Sequence, residues 1–301
     1  DGGQTWTHLT ATANWQHVTR IAVSPSNSNI LLASRRLGGI ARSTNGGATW
    51  TDVATGDFSY QVLFDPNDGN KAVAHLAPTS ALGHRVITST NAGLTWQTAT
   101  SGLANVSGEN SRIELAYAPS TANMVYASVG ADGGRIWRST DGGRNWTRRS
   151  SSSSRTGTRY YYNCLWVDPT NHDVLVVGAL HINRSTDGGQ SLTRITNGYI
   201  MTVDPHLDVH AIVADPNYNG TSNLRVYVAT DGGIHRANNI KTVRRGSGWV
   251  DLDATMRSSQ FYGADGHRSG DFVVGGTQDN GTLRIRGANP TANLVFGGDG
   301  G

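Results

Sequence analysis

A short motif that recurs at nearly constant spacing limits what this chain can fold into more than any other feature of the sequence. Its pattern, Ser-Thr-Asp/Asn-Gly/Ala-Gly-x-x-Trp/Leu, occupies residues 43–50, 89–96, 139–146 and 185–192, and residues 1–6 carry the second part of another copy. The Asp or Asn stands at positions 1, 45, 91, 141 and 187, so the copies follow one another after 44, 46, 50 and 46 residues. A period of about 40–50 residues is typical of folds that repeat one small sheet.

Further repeats fill each period with candidate strands. A short apolar run ends in proline once per period, at Pro25, Pro66, Pro119, Pro169 and Pro216. Proline is tolerated at a strand end, where its missing donor does no harm. A second apolar run follows, a third immediately precedes the motif, and a fourth strand is expected after it. We therefore predict an all-β fold, a β-propeller whose blades each have four strands running from the inside to the outside.

The number of blades follows from the inner strands. Six of them can be counted between His17 and about Pro290, and the motif fragment at residues 1–6 belongs to a further blade. The prediction is a seven-bladed propeller that forms a single domain over residues 1–301. The missing inner strands of the seventh blade would come from sequence outside this segment, so we expect a longer chain, with room for further domains.

The motif itself has a structural explanation. An Asp or Asn followed by glycines is turn chemistry, because the side chain accepts hydrogen bonds from turn amides and glycine adopts a positive φ. The Trp that follows can pack a large apolar ring against neighbouring strands. Four equivalent copies in four turns indicate a structural cause rather than four catalytic acids. We call this motif the Asp box.

The Asp boxes resemble those of the Asp-box, or BNR-repeat, propellers, which include sialidases, xyloglucan-active glucanases, sortilin-like receptors and a photosystem assembly factor. The second half of the chain is most similar to xyloglucanase-like and sortilin-like secreted proteins that are labelled glycosyl hydrolases. The stretches that carry this similarity are 163–169, 205–211, 228–234, 275–282 and 297–301. The Phe-Arg-Ile-Pro stretch of sialidases does not occur in the sequence, and Glu114 is the one candidate for their catalytic Glu.

The strand order predicts which loops lie away from the boxes. If the box joins the third and outer strands, the loops between second and third strands and the approaches to the inner strands lie at the other end. Asp231-Gly-Gly and Gln278-Asp-Asn-Gly follow second strands, so neither is a box. Aromatic, amide and guanidinium groups predicted at this end suit a sugar polymer, which needs stacking and many hydrogen bonds. The candidate substrate-binding residues are Tyr60, Arg112, Tyr161, Tyr162, Asn163, Gln260, Tyr262 and Gln278.

Four aspartates at the same end are candidate catalytic acids, because a glycosidase needs two carboxyl groups roughly 5–10 Å apart. They are Asp208, Asp231, Asp279 and Asp299. In the resembling xyloglucan-active glucanases, one catalytic Asp lies in a Thr-Asp-x-Gly-Gly stretch and the other in a Gly-Asp-x-Gly-Gly stretch. The stretches around Asp231 and Asp299 are similar, each with one spacer residue fewer. The sequence singles out no pair, and each Asp can also organise its own glycine-rich loop.

The pattern His206-x-Asp208-x-His210 has the spacing of side chains on one side of a strand, and so is a candidate half-site for zinc or another divalent ion. Calcium held by loop aspartates is an equal alternative. Histidines at a polar surface also often serve only as hydrogen-bonding groups. No cofactor is required by any of these interpretations.

Composition excludes several other functions. The 25 basic residues are scattered rather than gathered into the stripe that a nucleic-acid-binding protein needs, and no apolar run is long enough to cross a bilayer. The single cysteine, Cys164, lies in an apolar run, which favours a buried inert thiol.

Two functions stay open. One is a secreted polysaccharide hydrolase that uses the aspartates. The other is a non-catalytic propeller that binds a glycan or protein at the cell surface.

Overall fold

The structure, a computed structural model, describes residues 4–55, 57–78, 83–106, 112–150, 161–197, 204–252, 261–266, 272–286, 292–297 and 299–300. These ranges form strands and two single turns of 3₁₀ helix, Thr10–Thr12 and Gly130–Asp132. No helix in them is long and apolar enough to span a membrane. The strands are β1 Val18–Val23, β2 Leu31–Arg35, β3 Gly39–Ser43, β4 Thr51–Ala54, β5 Asp57–Asp65, β6 Asp68–Pro78, β7 Arg85–Ser89, β8 Gln97–Thr98, β9 Ile113–Tyr117, β10 Val125–Val129, β11 Arg135–Ser139, β12 Thr147–Arg148, β13 Cys164–Val167, β14 Leu175–Gly178, β15 Ile182–Ser185, β16 Thr193–Arg194, β17 Val209–Ala214, β18 Val226–Thr230, β19 Gly233–Ala237, β20 Trp249–Asp251, β21 Phe261–Gly266, β22 Phe272–Thr277, β23 Gly281–Arg286 and β24 Asn293–Phe296.

The strands form six four-stranded antiparallel sheets in chain order: β1–β4, β5–β8, β9–β12, β13–β16, β17–β20 and β21–β24. This arrangement confirms the predicted all-β fold and the predicted strand order within each repeat.

The chain divides into two compact units. Unit 1 contains residues 1–177 and 184–193, and unit 2 contains residues 178–183 and 194–301. The single domain and the seventh blade stay predictions.

Neighbouring sheets of unit 1 pack face to face through apolar side chains. Leu32 and Ile40 of the first sheet share a buried cluster with Val62 and Ala74 of the second. A second cluster joins the β5–β8 and β9–β12 sheets, and a third contains residues of the β9–β12 sheet together with β13 and β14. Burial of these side chains is the main favourable contribution to packing between sheets, since their backbones share no ladder of hydrogen bonds.

In each Asp box, the polar side chains form hydrogen bonds with the backbone of the same turn. In all four copies the serine hydroxyl accepts the backbone N–H of the second glycine at 2.9 Å. The Asp or Asn carboxyl or amide oxygen accepts the backbone N–H four residues later, at 2.8–3.0 Å. In the three copies with tryptophan, the indole N–H donates to the carbonyl of the second glycine. The structural interpretation of the boxes is supported by these bonds.

Strand register separates the two ends of each sheet. In the first sheet Arg35 pairs with Gly39, across the turn between second and third strands, and Val18 at the start of the inner strand pairs with Arg35. The box begins at Ser43, at the opposite end of β3. The same register places Asp231 and Asp279 in turns between second and third strands. Both aspartates are therefore outside the boxes, as the strand order predicts.

Replacing Asp141 tests the structural function of a box. Asp141 accepts hydrogen bonds from the backbone N–H groups of Arg144 and Asn145 and from the hydroxyl of Ser139. Although partial burial opposes ionisation, these bonds lower the pKa of Asp141. We expect Asp141→Ala to lower the free energy of unfolding by about 1–2 kcal/mol, measured by urea denaturation. Asp141→Asn is the matched control, because Asn45 and Asn91 occupy the same position in other boxes. Equal losses in both variants would contradict this explanation.

Candidate functional site

Two tight turns of unit 2 present aspartates at one end of their sheets. Asp231 and Gly232 form a two-residue turn, because Thr230 at the end of β18 pairs with Gly233 at the start of β19. Asp279 lies in the turn between β22 and β23 with φ 60°, in the left-handed region. Asp is one of the few non-glycine residues that tolerate this region readily. Tight turn geometry thus places both carboxyl groups beyond the ends of the strands.

A bulge at the start of an inner strand completes this part of the site. The pairing of β17 with β18 shifts between Val209 and Ala211, so His210 is the extra residue of a β-bulge. Bulges of this kind change the direction of a side chain. The Nε2 atom of His210 lies 2.6 Å from Oδ1 of Asp231. Asp208 precedes the bulge with φ 62°, and its carbonyl accepts the backbone N–H of Asp231 at 3.3 Å.

Gly300, which follows Asp299, packs closely enough to bring Asp299 beside Asp279. The backbone N–H of Gly300 donates to the carbonyl of Thr277 at 2.8 Å. A Cβ on Gly300 would lie 2.4 Å from the carbonyl oxygen of Gly281, so a side chain has no space there. In this position Oδ1 of Asp299 accepts the backbone N–H of Asp279 at 3.0 Å.

The carboxyl groups of Asp208, Asp231 and Asp279 form what we call the aspartate cluster. One oxygen from each lies within 4.8 Å of the others, and all three residues are half-buried. Burial, followed by the charge of Asp231, raises the pKa of Asp208. Burial, followed by the charges of Asp231 and Asp299, raises the pKa of Asp279. Like charges in a partly desolvated site favour protonation of some members, so the cluster can contain both an acid and a carboxylate.

The metal site expected at His206, Asp208 and His210 was wrong in its geometry. Strand β17 begins at Val209, so the three residues do not alternate along one strand. His210 is bonded to Asp231, and Nδ1 of His206 lies 3.2 Å from the carbonyl oxygen of Leu207. Within the described residues, the group that could hold an ion consists of Asp208, Asp231 and Asp279. Three carboxylate groups are ligands that suit calcium, the alternative ion named above, better than zinc.

Unit 1 contains a different candidate site, which we call the arginine pocket. It is a cavity of about 380 Å³, and the charged and aromatic residues that line it are Arg20, Arg36, Arg112, Tyr60 and Tyr161. His17, Val18 and Thr19 complete the described lining. Three of the predicted substrate-binding residues, Tyr60, Arg112 and Tyr161, therefore lie together. Arg36 was missed by sequence reasoning, although it lies in a turn between second and third strands, where the strand order predicts functional side chains.

Several other predicted residues have different surroundings. Asn163 is 0 % exposed, and its amide donates to the carbonyls of Arg112 and Ser128. The prediction that Asn163 binds substrate was therefore wrong, because a buried amide that bonds the backbone cannot reach a ligand. Tyr162 contacts Tyr161 edge to face, with ring centroids 5.8 Å apart. Gln260 lies outside the described residues.

In unit 2, Tyr262 is 56 % exposed. Partial desolvation, followed by the charges of Asp299 and Asp279, raises its pKa, so its ring lies close to those carboxylates. The side chain of Gln278 donates to Asp279, which works against the rise in the pKa of that aspartate. Both predicted residues thus adjoin the aspartate cluster, where an aromatic ring and an amide can contact a sugar.

Repeated four-stranded sheets, box turns at one sheet end and polar loops at the other define the class of this protein as a β-propeller. Solved structures show the same fold. The GH74 xyloglucanase from Xanthomonas campestris matches with a TM-score of 0.63 at 18% identity, over 86% of this chain and 42% of that one. YCF48 from Cyanidioschyzon merolae matches with a TM-score of 0.55 at 14% identity, over 94% of this chain and 87% of that one. Identities this low show the fold alone.

Sequence comparison gives a more specific similarity over part of the chain. A xyloglucanase from Hypocrea jecorina (strain QM6a) is 32% identical over 124 residues, which are 41% of this chain. The match spans 13% of the length of that curated relative. No protein-family profile matches the chain. The chain is thus a β-propeller related to xyloglucanases.

Asp208→Asn tests the electrostatics of the aspartate cluster. Oδ1 of Asp208 is buried and has no hydrogen-bond partner among the described residues, and Asn tolerates the left-handed backbone, so the variant removes mainly a charge. When the pKa of an acid is raised in the folded state, the protein loses stability as the pH rises from the ordinary pKa of that acid, 3.8, through the raised pKa. We expect the variant to be more stable than the wild type to urea at pH 7 and equally stable below pH 3.8. EDTA in both samples removes the contribution of any bound cation. A less stable variant at pH 7 would contradict the prediction.

Proposed function

We propose that this chain is a secreted polysaccharide hydrolase that acts through the aspartate cluster and Asp299. The observation that carries the proposal is the convergence of Asp208, Asp231 and Asp279, whose oxygens lie within 4.8 Å of one another in a chain related to xyloglucanases. Xyloglucan and related β-glucans are therefore the substrates that we expect. Because such a polymer cannot cross a membrane, its hydrolase acts outside the cell.

The raised pKa of Asp279 and the contacts of Asp231 indicate which catalytic role each aspartate has. Glycoside hydrolysis needs a protonated acid for the leaving oxygen and a carboxylate near the sugar ring, where positive charge develops. Asp279 has a raised pKa and adjoins the exposed ring of Tyr262, so we assign it as the general acid. Asp231, held by His210 at 2.6 Å, is assigned as the carboxylate. Asp299 supports this division, because its charge, after burial and the charge of Asp231, favours the protonated form of Asp279. Burial and the charges of Asp231 and Asp279 oppose the ionisation of Asp208.

The assay is the release of reducing ends from xyloglucan and other β-glucans. We expect Asp231→Asn and Asp279→Asn each to lower kcat by at least about 100-fold, since removal of an acid–base group has effects of this size. On an aryl glycoside with an acidic phenol as leaving group, Asp279→Asn should regain much of the lost rate, because such a leaving group needs no proton. Asp231→Asn should not.

Asp265→Asn is the matched control. Asp265 lies in β21 and accepts the backbone N–H of Gly266, a bond that Asn can keep. Its activity should equal that of the wild type. If the wild-type protein hydrolyses none of the β-glucans, or if the cluster variants keep full activity, the proposal of a hydrolase is refuted.

The second candidate is a non-catalytic propeller that binds a glycan or a protein, with the aspartate cluster as a calcium site. One observation favours it: Oδ1 of Asp208 is buried and accepts no hydrogen bond from the described residues, as a cation ligand would. Asp208, Asp231 and Asp279 offer the hard oxygen ligands that calcium prefers. A bound ion would neutralise the like charges and stiffen the turns that hold them.

Calcium binding is measured by the Tm in CaCl2 against EDTA. For the wild type, each kcal/mol of binding free energy raises the Tm by about 2–4 °C, and Asp208→Asn should lose most of this shift. Asp265→Asn should keep it. A calcium-dependent shift without hydrolysis of any β-glucan favours the binding propeller, and the absence of a shift argues against it.

A further inference from the structure

We infer that the arginine pocket of unit 1 binds an anionic residue of a polysaccharide, a sugar that carries a carboxylate or a sulfate. The inference rests on the proposed action on polysaccharides, but it concerns another site. Its ligand is a charged sugar rather than the neutral β-glucans expected at the aspartate cluster, and binding needs no catalysis. The volume of about 380 Å³ lies within the range of small-molecule sites and suits one sugar residue.

The pocket carries surplus positive charge. Arg20, Arg36 and Arg112 line it, and no acidic side chain does so among the described residues. The carboxylate of Glu114 contacts Arg20 and Arg112, but Glu114 is 5 % exposed and bonded on both oxygens. Oε2 accepts two hydrogen bonds from Arg112 at 3.0 and 2.8 Å, and Oε1 accepts one from Gln61 at 2.9 Å. In the described part of the chain, one carboxylate against three guanidinium groups leaves a site that attracts anions.

Glu114 also fixes Arg112 in place. The guanidinium of Arg112 is 14 % exposed, and it uses Nε and Nη2 for Glu114. Burial works against its charge, but the charge and hydrogen bonds of Glu114 raise the pKa of Arg112 overall. A guanidinium that is charged and already ordered loses little entropy when it binds a planar anion. Arg20 lies 3.5 Å from Oε1 of Glu114 and is 41 % exposed, so it is directed by the same carboxylate but reaches solvent.

The backbone around Arg36 is ordered as well. Its N–H donates to the carbonyl of His17 at 3.0 Å, which extends the pairing of β1 and β2 to the edge of the pocket. Its guanidinium lies 5.9 Å from the ring of Phe58. Among the described residues, no carboxylate forms an ion pair with Arg36, in contrast to Arg35, which pairs with Asp52 at 2.5 Å. Arg36 is thus the cation that is most available to a ligand.

Two tyrosines favour a sugar over other anions. Tyr60 stacks on His75 with ring centroids 5.6 Å apart, and His75 stacks on His84. His75 is fully buried, and desolvation followed by the charges of His84 and Arg112 keeps its pKa well below the usual range, so the ring behind Tyr60 is neutral. Tyr161 supplies a second aromatic ring at the pocket. Rigid aromatic rings suit the apolar faces of sugar rings.

The described residues at this pocket do not supply the groups for hydrolysis. A glycosidase needs two carboxyl groups, and among those residues the carboxyl group beside the pocket, that of Glu114, is buried with both oxygens occupied. Binding at the arginine pocket and cleavage at the aspartate cluster are therefore separable by experiment.

Calorimetry with matched sugars tests the inference. The probes are tri-galacturonate, its methyl ester, and a sulfated galactan trisaccharide, each titrated into the whole chain. We expect an anionic probe to bind and the neutral methyl ester to bind at least about tenfold more weakly, with affinity falling as salt is raised. The carboxylate and sulfate probes show which anion is preferred. Equal binding of the acid and its ester, or no binding of either anionic sugar, would overturn the inference.

Arg36→Gln is the test variant, because its guanidinium supports no ion pair of the fold among the described residues. It should weaken binding of the anionic probe by roughly five- to tenfold. Arg148→Gln, at an exposed position of β12, makes the same charge change and should have no effect. Asp231→Asn should bind as the wild type does, so loss of hydrolysis leaves this inference standing. Tighter binding of a tripeptide with a free carboxyl end than of the sugar acid would show that the pocket serves a peptide, and would overturn the sugar.

Discussion

Side chains that bridge the inner strands of neighbouring sheets add directional bonds to the apolar packing of unit 1. Packing between sheets is apolar and without direction, so it does not fix how far one sheet slides past the next. Gln61 fixes it at β9, because its amide donates to the Leu115 carbonyl and its oxygen accepts the Leu115 N–H. Thr19 does the same for β1 and β5 through the carbonyl of Ser59. These buried bonds set the register on which the arginine pocket depends.

The same places in the strands combine structural and functional roles. Bulges occur near the start of β1, β5, β17 and β21. Each bulge takes residues out of the ladder and allows a polar side chain to be turned towards a neighbour or a ligand. Thr19 lies in the bulge of β1 and Gln61 borders that of β5, and both residues hold sheets together. Tyr60, His210 and Tyr262 lie in bulges and contribute to the candidate sites.

Aspartate has two distinct functions in this chain, and hydrogen bonding decides between them. The carboxyl oxygens of Asp141 and Asp187 accept hydrogen bonds from the amides of their own boxes. These bonds lower the pKa values of both residues, although partial burial acts to raise them. Asp208 and Asp279 are partly buried and lie beside other carboxylates, so burial and then like charge raise their pKa values. The residue type is the same, but the first pair is stabilised as anions and the second can hold protons at higher pH.

The sequence by itself determined the repeat, the strand order, the box turns and the position of Asp231 and Asp279 outside them. These features depend on local turn chemistry and on a period, both of which are written along the chain. Tertiary structure alone decided that Asn163 is buried, that Glu114 is locked by Arg112, and which carboxyl groups meet. Apart from the Arg112–Glu114 pair, those outcomes depend on contacts between residues distant in the sequence, such as Asn163 with Ser128 and Asp208 with Asp231. Bulges and sheet packing set these contacts, and no local pattern contains that information.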